Sequence, residues 1–330
     1  MQMDQRAKHL LIGSGVAVMG MAAGAVSHSL TGRLMKIALD RDLPQTRNKK
    51  RMRARLCGIV GLEEFLELRC RAGERLKEHD CKEISIYSYD GVKLMGHWHP
   101  CANAKRVILA MHGWRSSWTD DFGLIADFWC GNGCSVLYAE QRGQNNSGGP
   151  CMGFGILERF DCLEWLKWIE EENRERLPVY LAGVSMGAAT VLMASGLELP
   201  ASVRGIIADC AFTSPEAIWS HVARNNLHLS YRSRRAAIEG ICKRRLRCGA
   251  GECSTIDALK RNRCPVLFIH GTDDHFVPVE MTYENYKACT APKRLLVVPG
   301  ADHGMSYVVD ETGYQAAMSE FWADCERTIS

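Results

Sequence analysis

Short unbroken apolar runs alternate with amphipathic stretches along most of the chain. Residues 106–111 (RVILAM) are such a run, and 135–139, 179–184, 203–209, 265–269 and 295–298 are further mainly apolar stretches that read as strands. Each reads as a buried parallel strand, because a strand covered on both faces keeps no polar side. Ahead of them, residues 83–89 alternate polar and apolar. Asp90-Gly91 then supplies a hairpin turn, and residues 92–99 read as the partner strand. Helical periodicity predicts helices over 57–80, 120–130, 156–171, 186–195, 279–287 and 314–327. In the third of these, Phe160, Leu163, Trp165, Leu166 and Ile169 form the apolar face.

A hairpin followed by repeated strand–helix units predicts an α/β fold: a mostly parallel eight-stranded sheet with helices on both faces. The stretch from Thr213 to Arg263 breaks the rhythm. It is long, basic and helix-prone with no strand of its own, and reads as a small helical cap inserted over the C-terminal edge of the sheet. The expected organisation is an N-terminal anchor over 1–30, a basic helical linker over 31–80, and a catalytic domain over 81–330 with its cap at about 213–263.

Charge refines this picture. The net charge of +3 suggests no nucleic-acid partner. Residues 31–56, however, carry nine Lys and Arg against Asp40 and Asp42, and residues 215–263 carry eleven against Glu216, Glu239, Glu252 and Asp257. These segments are either solvated helical faces or surfaces for an anionic partner. The fifteen cysteines include no CxxC pair. Cys242, Cys248, Cys253 and Cys264 are spaced too loosely for a zinc site, so no metal is expected. Most cysteines read as small buried hydrophobes in a reducing compartment.

From Leu10 to Leu30 there is no charged residue. The stretch suits a signal peptide, a membrane anchor or a packed apolar helix. The expectation adopted is an uncleaved single span. The basic residues Arg47, Lys49, Lys50, Arg51, Arg53 and Arg55 favour a cytoplasmic domain, with an exported domain as the alternative. A membrane surface is then an expected partner.

The chemistry centres on Gly183-Val184-Ser185-Met186-Gly187. This G-x-S-x-G lies between a strand and a helix, the setting in which its glycines relieve crowding at a strained turn and lift the serine to the sheet edge. Ser185 is the candidate nucleophile, at a helix N-terminus that favours a developing anion. Its base is expected to be His303, in a small-residue loop after the last strand. Asp274, in GTDDHFVP between strand and helix, is the expected acid, with Asp273 and Asp209 as alternatives and His275 as a decoy for the base. His112-Gly113-Trp114 follows the first parallel strand. The backbone N–H groups of Trp114 and Met186 are candidates for an oxyanion hole, and His112, Gly113 and Trp114 for substrate contact; the other reading of the tripeptide is a simple turn.

The pieces ILAMHGW, AEQRGQNNSGG, LAGVSMGAAT, IIADCAFTS, PVLFIHGTDDHFVP and VPGADHG follow one another from Glu83 to the C-terminus. Together they resemble the α/β-hydrolase superfamily, in particular its serine aminopeptidase and monoacylglycerol-lipase-like branch. Asn145-Asn146 departs from that branch, whose R-G-x-G-x-S turn has a glycine there. The resemblance implies the α/β-hydrolase fold and a Ser185–His303–Asp274 triad. It also implies a cofactor-free hydrolase acting on a small-molecule or lipid-like ester, with peptidase activity or a catalytically silent membrane scaffold as alternatives. Similar proteins often carry an N-terminal anchor.

Overall fold

The computed structural model describes residues 29–42 and 62–327. Residues 29–39 form helix α1, and α2 spans Leu62–Glu78. The hairpin strands β1 (Lys82–Tyr87) and β2 (Lys93–His99) pair antiparallel, and β2 pairs antiparallel with β4. The remaining pairings are parallel. They join β3 (Arg106–Met111), β4 (Cys134–Ala139), β5 (Val179–Val184), β6 (Val203–Asp209), β7 (Val266–Gly271) and β8 (Lys293–Val298). The strand order is β1-β2-β4-β3-β5-β6-β7-β8.

Every residue of β3, β4 and β7 is buried, as strands covered on both faces must be. Alternate side chains divide them between two cores. Val107, Leu109, Leu181 and Phe268 face α5 (Glu158–Glu172) and α6 (Met186–Ala194), which contribute Trp165, Leu166, Val191 and Leu192. Ile108, Tyr138, Tyr180 and Ile269 face the opposite layer. Trp118 and Phe122 come there from α3 (Trp118–Phe122), Trp129 from α4 (Ala126–Gly131), and Met318, Phe321 and Trp322 from the C-terminal helix (Glu311–Arg327). Each such fully buried side chain contributes about 1.5–3 kcal/mol relative to exposure.

A third cluster caps the C-terminal ends of the strands. Between β6 and β7 the chain forms α7 (Pro215–His221), a π-helical turn, α8 (Arg235–Leu246) and α9 (Thr255–Arg261). Trp219, Tyr231 and Ile238 from this stretch pack with Met35 and Leu39 of α1 and with Phe154, Phe212 and Phe276. The chain runs from β3 to β4 on one side and then crosses to β5 on the other, so a crevice opens above β3 and β5.

Among the described residues no helix is long and apolar enough to cross a membrane. This corrects the expected membrane location with a single N-terminal span. Residues 1–28 lie outside the described residues, and Ser29 and Leu30 are the first residues of α1, which buries Thr31, Met35 and Leu39 against protein. The run of basic residues from Arg47 to Arg55 also lies outside them.

Candidate active site

Three chain segments meet at the crevice. The first is the turn from β5 into α6. Ser185 sits there at φ 56°, ψ −115°, a conformation that costs a non-glycine residue of order 1–3 kcal/mol and persists only where its surroundings fix it. They do so closely. A Cβ on Gly183 would lie 2.4 Å from the Gly187 backbone, and one on Gly187 would lie 1.8 Å from the Met111 carbonyl oxygen. The Ser185 N–H donates to the Asp209 carbonyl at 2.8 Å, tying the turn to β6.

The other two segments bring a base and an acid. His303 Nε2 lies 2.9 Å from Ser185 Oγ, and His303 Nδ1 lies 2.7 Å from Asp274 Oδ2. A carboxylate only accepts, so Nδ1 carries the proton and Nε2 is left to accept from the serine hydroxyl. Asp274 is buried, and its Oδ1 accepts from the Phe276 and Val277 N–H groups at 2.9 and 2.7 Å. Burial alone would raise the Asp274 pKa. The positive charge of His303 and the hydrogen bonds from His270 and His303 outweigh it and hold the carboxyl well below the usual carboxylate range. Burial opposes the charged form of His303, but the charge and hydrogen bond of Asp274 prevail and raise its pKa.

The alternatives are placed elsewhere. Asp209 is hydrogen-bonded by Tyr314 Oη at 3.2 Å, not by His303, and burial pushes its carboxyl up to about 6. The exposed Asp273 accepts from Thr272 Oγ1, and His275 Nδ1 lies 3.2 Å from Asp302.

The loop after β3 divides its roles by residue. His112 is fully buried, with Nδ1 2.9 Å from the Gly113 carbonyl and Nε2 accepting from the Gln141 N–H at 3.1 Å. Burial pushes its pKa down, so it is neutral and braces the loop instead of facing substrate. The Gly113 N–H donates to Asp121 Oδ2 at 2.6 Å, and the Arg115 N–H donates to Gln144 Oε1. Between them, the Trp114 N–H meets no acceptor among the described residues. The Met186 N–H opens α6, so it has no partner within the helix. Asn145, where the branch it resembles has a glycine, holds a left-handed conformation at φ 49°, with Nδ2 donating to the Ser116 carbonyl at 2.9 Å.

Beside this constellation lies an apolar cavity of about 90 Å³, bounded by Met35 and Ala38 of α1, by Trp114 and Phe276, and by Trp219 and Tyr231. The Phe276 ring stands edge to face with His303 at 5.1 Å and joins cavity to base. The ligand atoms of Cys210, Asp274 and His303 lie within 4.8 Å of one another. Burial holds the Cys210 thiol protonated, and Asp274 is already fully hydrogen-bonded, so the trio suits proton transfer better than metal coordination.

His270, at the end of β7, is a further functional side chain, outside the G-x-S-x-G, GTDDHFVP and HGW motifs. The structure puts it on Asp274, and its position four residues ahead of that acid was the available hint. The participation of α1 and of Asp121 had no local signature.

Sheet and crevice together have the α/β-hydrolase fold. Its sequence matches the family described as Serine aminopeptidase, S33, over residues 102–239. Among curated proteins it is similar to the uncharacterized protein YqkD of Bacillus subtilis (strain 168), 28% identical over 189 residues, or 57% of this chain and 62% of that one. Among solved structures it resembles the esterase Pf2001 of Pyrococcus furiosus, with a TM-score of 0.62 and 21% identity, covering 76% of this chain and 93% of that one. It also resembles a thermophilic esterase of Thermogutta terrifontis, with a TM-score of 0.54 and 15% identity, covering 74% and 99%.

Proposed function

We propose that this chain is a serine hydrolase that cleaves carboxylic esters of small apolar acids through an acyl-serine intermediate. The observation that carries the reading is the continuous hydrogen-bonded line from Ser185 Oγ through the His303 ring to Asp274. Along it, His303 takes the serine proton as Oγ attacks the ester carbonyl, and later returns it to the departing alcohol. Asp274 fixes the imidazole tautomer and stabilises the imidazolium. The Trp114 and Met186 N–H groups receive the oxyanion, each worth about 3 kcal/mol. Water, activated by the same histidine, then releases the acid.

The cavity supports the choice of acyl group. Its volume of about 90 Å³ is smaller than the ~150 Å³ that holds a benzene ring, which suits a short apolar chain. Both structural relatives named above are described as esterases. The segment between β6 and β7, about residues 213–263, acts in this reading as the cap that closes the acyl site.

The family description favours one second reading, removal of an N-terminal amino acid from a peptide. Arg234 lines the cavity, and its positive charge is a poor match for a protonated α-amino group. A panel of p-nitrophenyl esters and aminoacyl amides separates the two. Fluorophosphonate labelling of the wild type and of Ser185→Ala tests the nucleophile: labelling lost in the variant supports it, and a folded wild type that does not label overturns it.

A further inference from the structure

The C-terminus of α1 leaves four carbonyls that need partners from outside the helix or from its own last turn. The Lys36 carbonyl accepts from the Asp40 N–H at 2.9 Å, and the Leu39 carbonyl from the Met152 N–H at 2.8 Å. The two between them are taken by the loop that follows β3. Trp114 Nε1 donates to the Ala38 carbonyl at 2.9 Å, and the Arg115 guanidinium donates to the Ile37 carbonyl at 2.7 Å. The same guanidinium reaches on to the carbonyls of Asp40 at 2.6 Å and Arg41 at 3.2 Å. It therefore sits at the negative end of the helix dipole, where a cation is favoured.

Arg115 holds a left-handed backbone conformation, with φ 52°. An arginine has no intrinsic preference for it, so the contacts around the residue must hold it there. Its own N–H is fixed by Gln144, and its side chain by α1. The segment is also pinned from other directions: Arg41 donates to the carbonyls of Asn145 and Ser147, the Arg41 N–H donates to the Pro150 carbonyl at 3.0 Å, and Asp40 pairs with Arg245. Between the two fixed points of Gly113 and Arg115 lies the Trp114 N–H.

We propose that Arg115 is a positioning residue: by fastening the loop to the end of α1, it sets the direction of the Trp114 N–H toward the reacting carbonyl. The proposal rests on the reading of Trp114 as an oxyanion donor. It makes α1 a working part of the site. Displacing a donor by about 1 Å can cost roughly a hundredfold in rate without removing any reacting group.

The test is p-nitrophenyl butyrate hydrolysis by wild type, Arg115→Met, Arg115→Lys and Trp114→Phe, with active sites titrated by a fluorophosphonate. Arg115→Met is expected to lower kcat per titrated site by about ten- to a hundredfold with KM within about threefold, and to slow labelling in parallel. Arg115→Lys keeps the charge and recovers part of the loss. Trp114→Phe keeps an aromatic ring in the cavity wall while removing the donor to Ala38, the loop's other fastening to α1, and carries the test if Arg115→Met does not fold. An active wild type beside an Arg115→Met or Trp114→Phe whose kcat per titrated site is within about twofold of it overturns the positioning role alone. A wild type that neither labels nor turns over ester overturns the hydrolase reading, and this proposal with it.

Discussion

His270 Nε2 stands 3.1 Å from Asp274 Oδ2, the same oxygen that meets His303. His270 is itself anchored by Thr282 Oγ1 at 2.6 Å from Nδ1 and by the Val277 carbonyl at 2.8 Å from Nε2. The single Nε2–H of His270 is shared between the Val277 carbonyl and Asp274 Oδ2, while Oδ1 takes two backbone donors, so Asp274 is held facing His303. Asn at position 274 must turn its NH2 either to two backbone N–H groups, which repel it, or to His303, where it makes Nδ1 an acceptor and moves the ring proton to Nε2. Asp274→Asn is expected to lower kcat by about four orders of magnitude, as removal of a tautomer-fixing carboxylate does. Asp209→Asn keeps an acceptor for Tyr314 and touches neither His303 nor Ser185 through its side chain, so its kcat should stay within about threefold. Steady-state ester hydrolysis by both variants decides between the two acids. Equal losses would remove Asp274 from its assigned role.

The pH profile follows from His303. Protonation removes the lone pair that accepts the serine proton, so activity is lost as pH falls through the His303 pKa. Asp274 raises that pKa despite burial, so the acid limb of kcat/KM should have its midpoint above the ordinary histidine value of about 6.5. The negative charge of Asp209 adds to the rise, and Asp209→Asn should move the limb to lower pH. For stability the sign is the reverse of that for activity: a raised histidine pKa stabilises the fold fully below about 6.5, and the gain is lost as pH rises through the folded value. An acid limb at or below about 6.5 would contradict the arrangement.

The centre of the sheet was legible because β3, β4 and β7 are buried on both faces. A run such as RVILAM has no second reading at six residues, and the predicted 106–111, 179–184 and 203–209 coincide with β3, β5 and β6. Ser185, Asp274 and His303 were legible through strand–turn–helix context and chain order, and the structure brings the three side chains together. Contacts between distant segments were not legible. A single helix over 120–130 was expected, yet the chain forms α3 and α4 with a break at Gly123. A Cβ on Gly123 would lie 2.7 Å from the backbone of Ala72, so the break lets α2 approach, and no local pattern announces that. The placement of α1 over the site is of the same kind. Its stripe of Thr31, Met35 and Leu39 says only that one face is buried, not against what.

The nucleophile turn should tolerate no side chain at its second glycine. A methyl on Gly187 would overlap the Met111 carbonyl oxygen at 1.8 Å, and that oxygen belongs to a central strand that cannot retreat. Gly187→Ala must therefore push α6 away from β3, breaking the packing of Ala188, Val191 and Leu192 against this face of the sheet and of Met186 and Ala189 under the cap. The expected loss exceeds about 4 kcal/mol, in the range reserved for severe backbone or core disruption. It should be read as poor soluble yield or a strongly lowered melting temperature. A variant melting within a few degrees of wild type would show that the turn is looser than this packing implies.

The depth of the acyl cavity should be set by α1. Met35 is buried at 4% exposure and forms part of the cavity wall, facing Trp219 and Ile238 across the same cluster. Met35→Ala removes apolar wall and lengthens the space available to an acyl chain, at a stability cost of about 2–5 kcal/mol. Each methylene that gains a buried place is worth about 0.8 kcal/mol, or about fourfold in kcat/KM. The preferred p-nitrophenyl ester should therefore lengthen by about two or three carbons, while activity on the acetate, too short to reach the wall, changes little. Measuring kcat/KM across acetate to decanoate tests this. An unchanged optimum in a folded Met35→Ala would mean that acyl chains lie elsewhere in the crevice and that this cavity serves only the packing of α1.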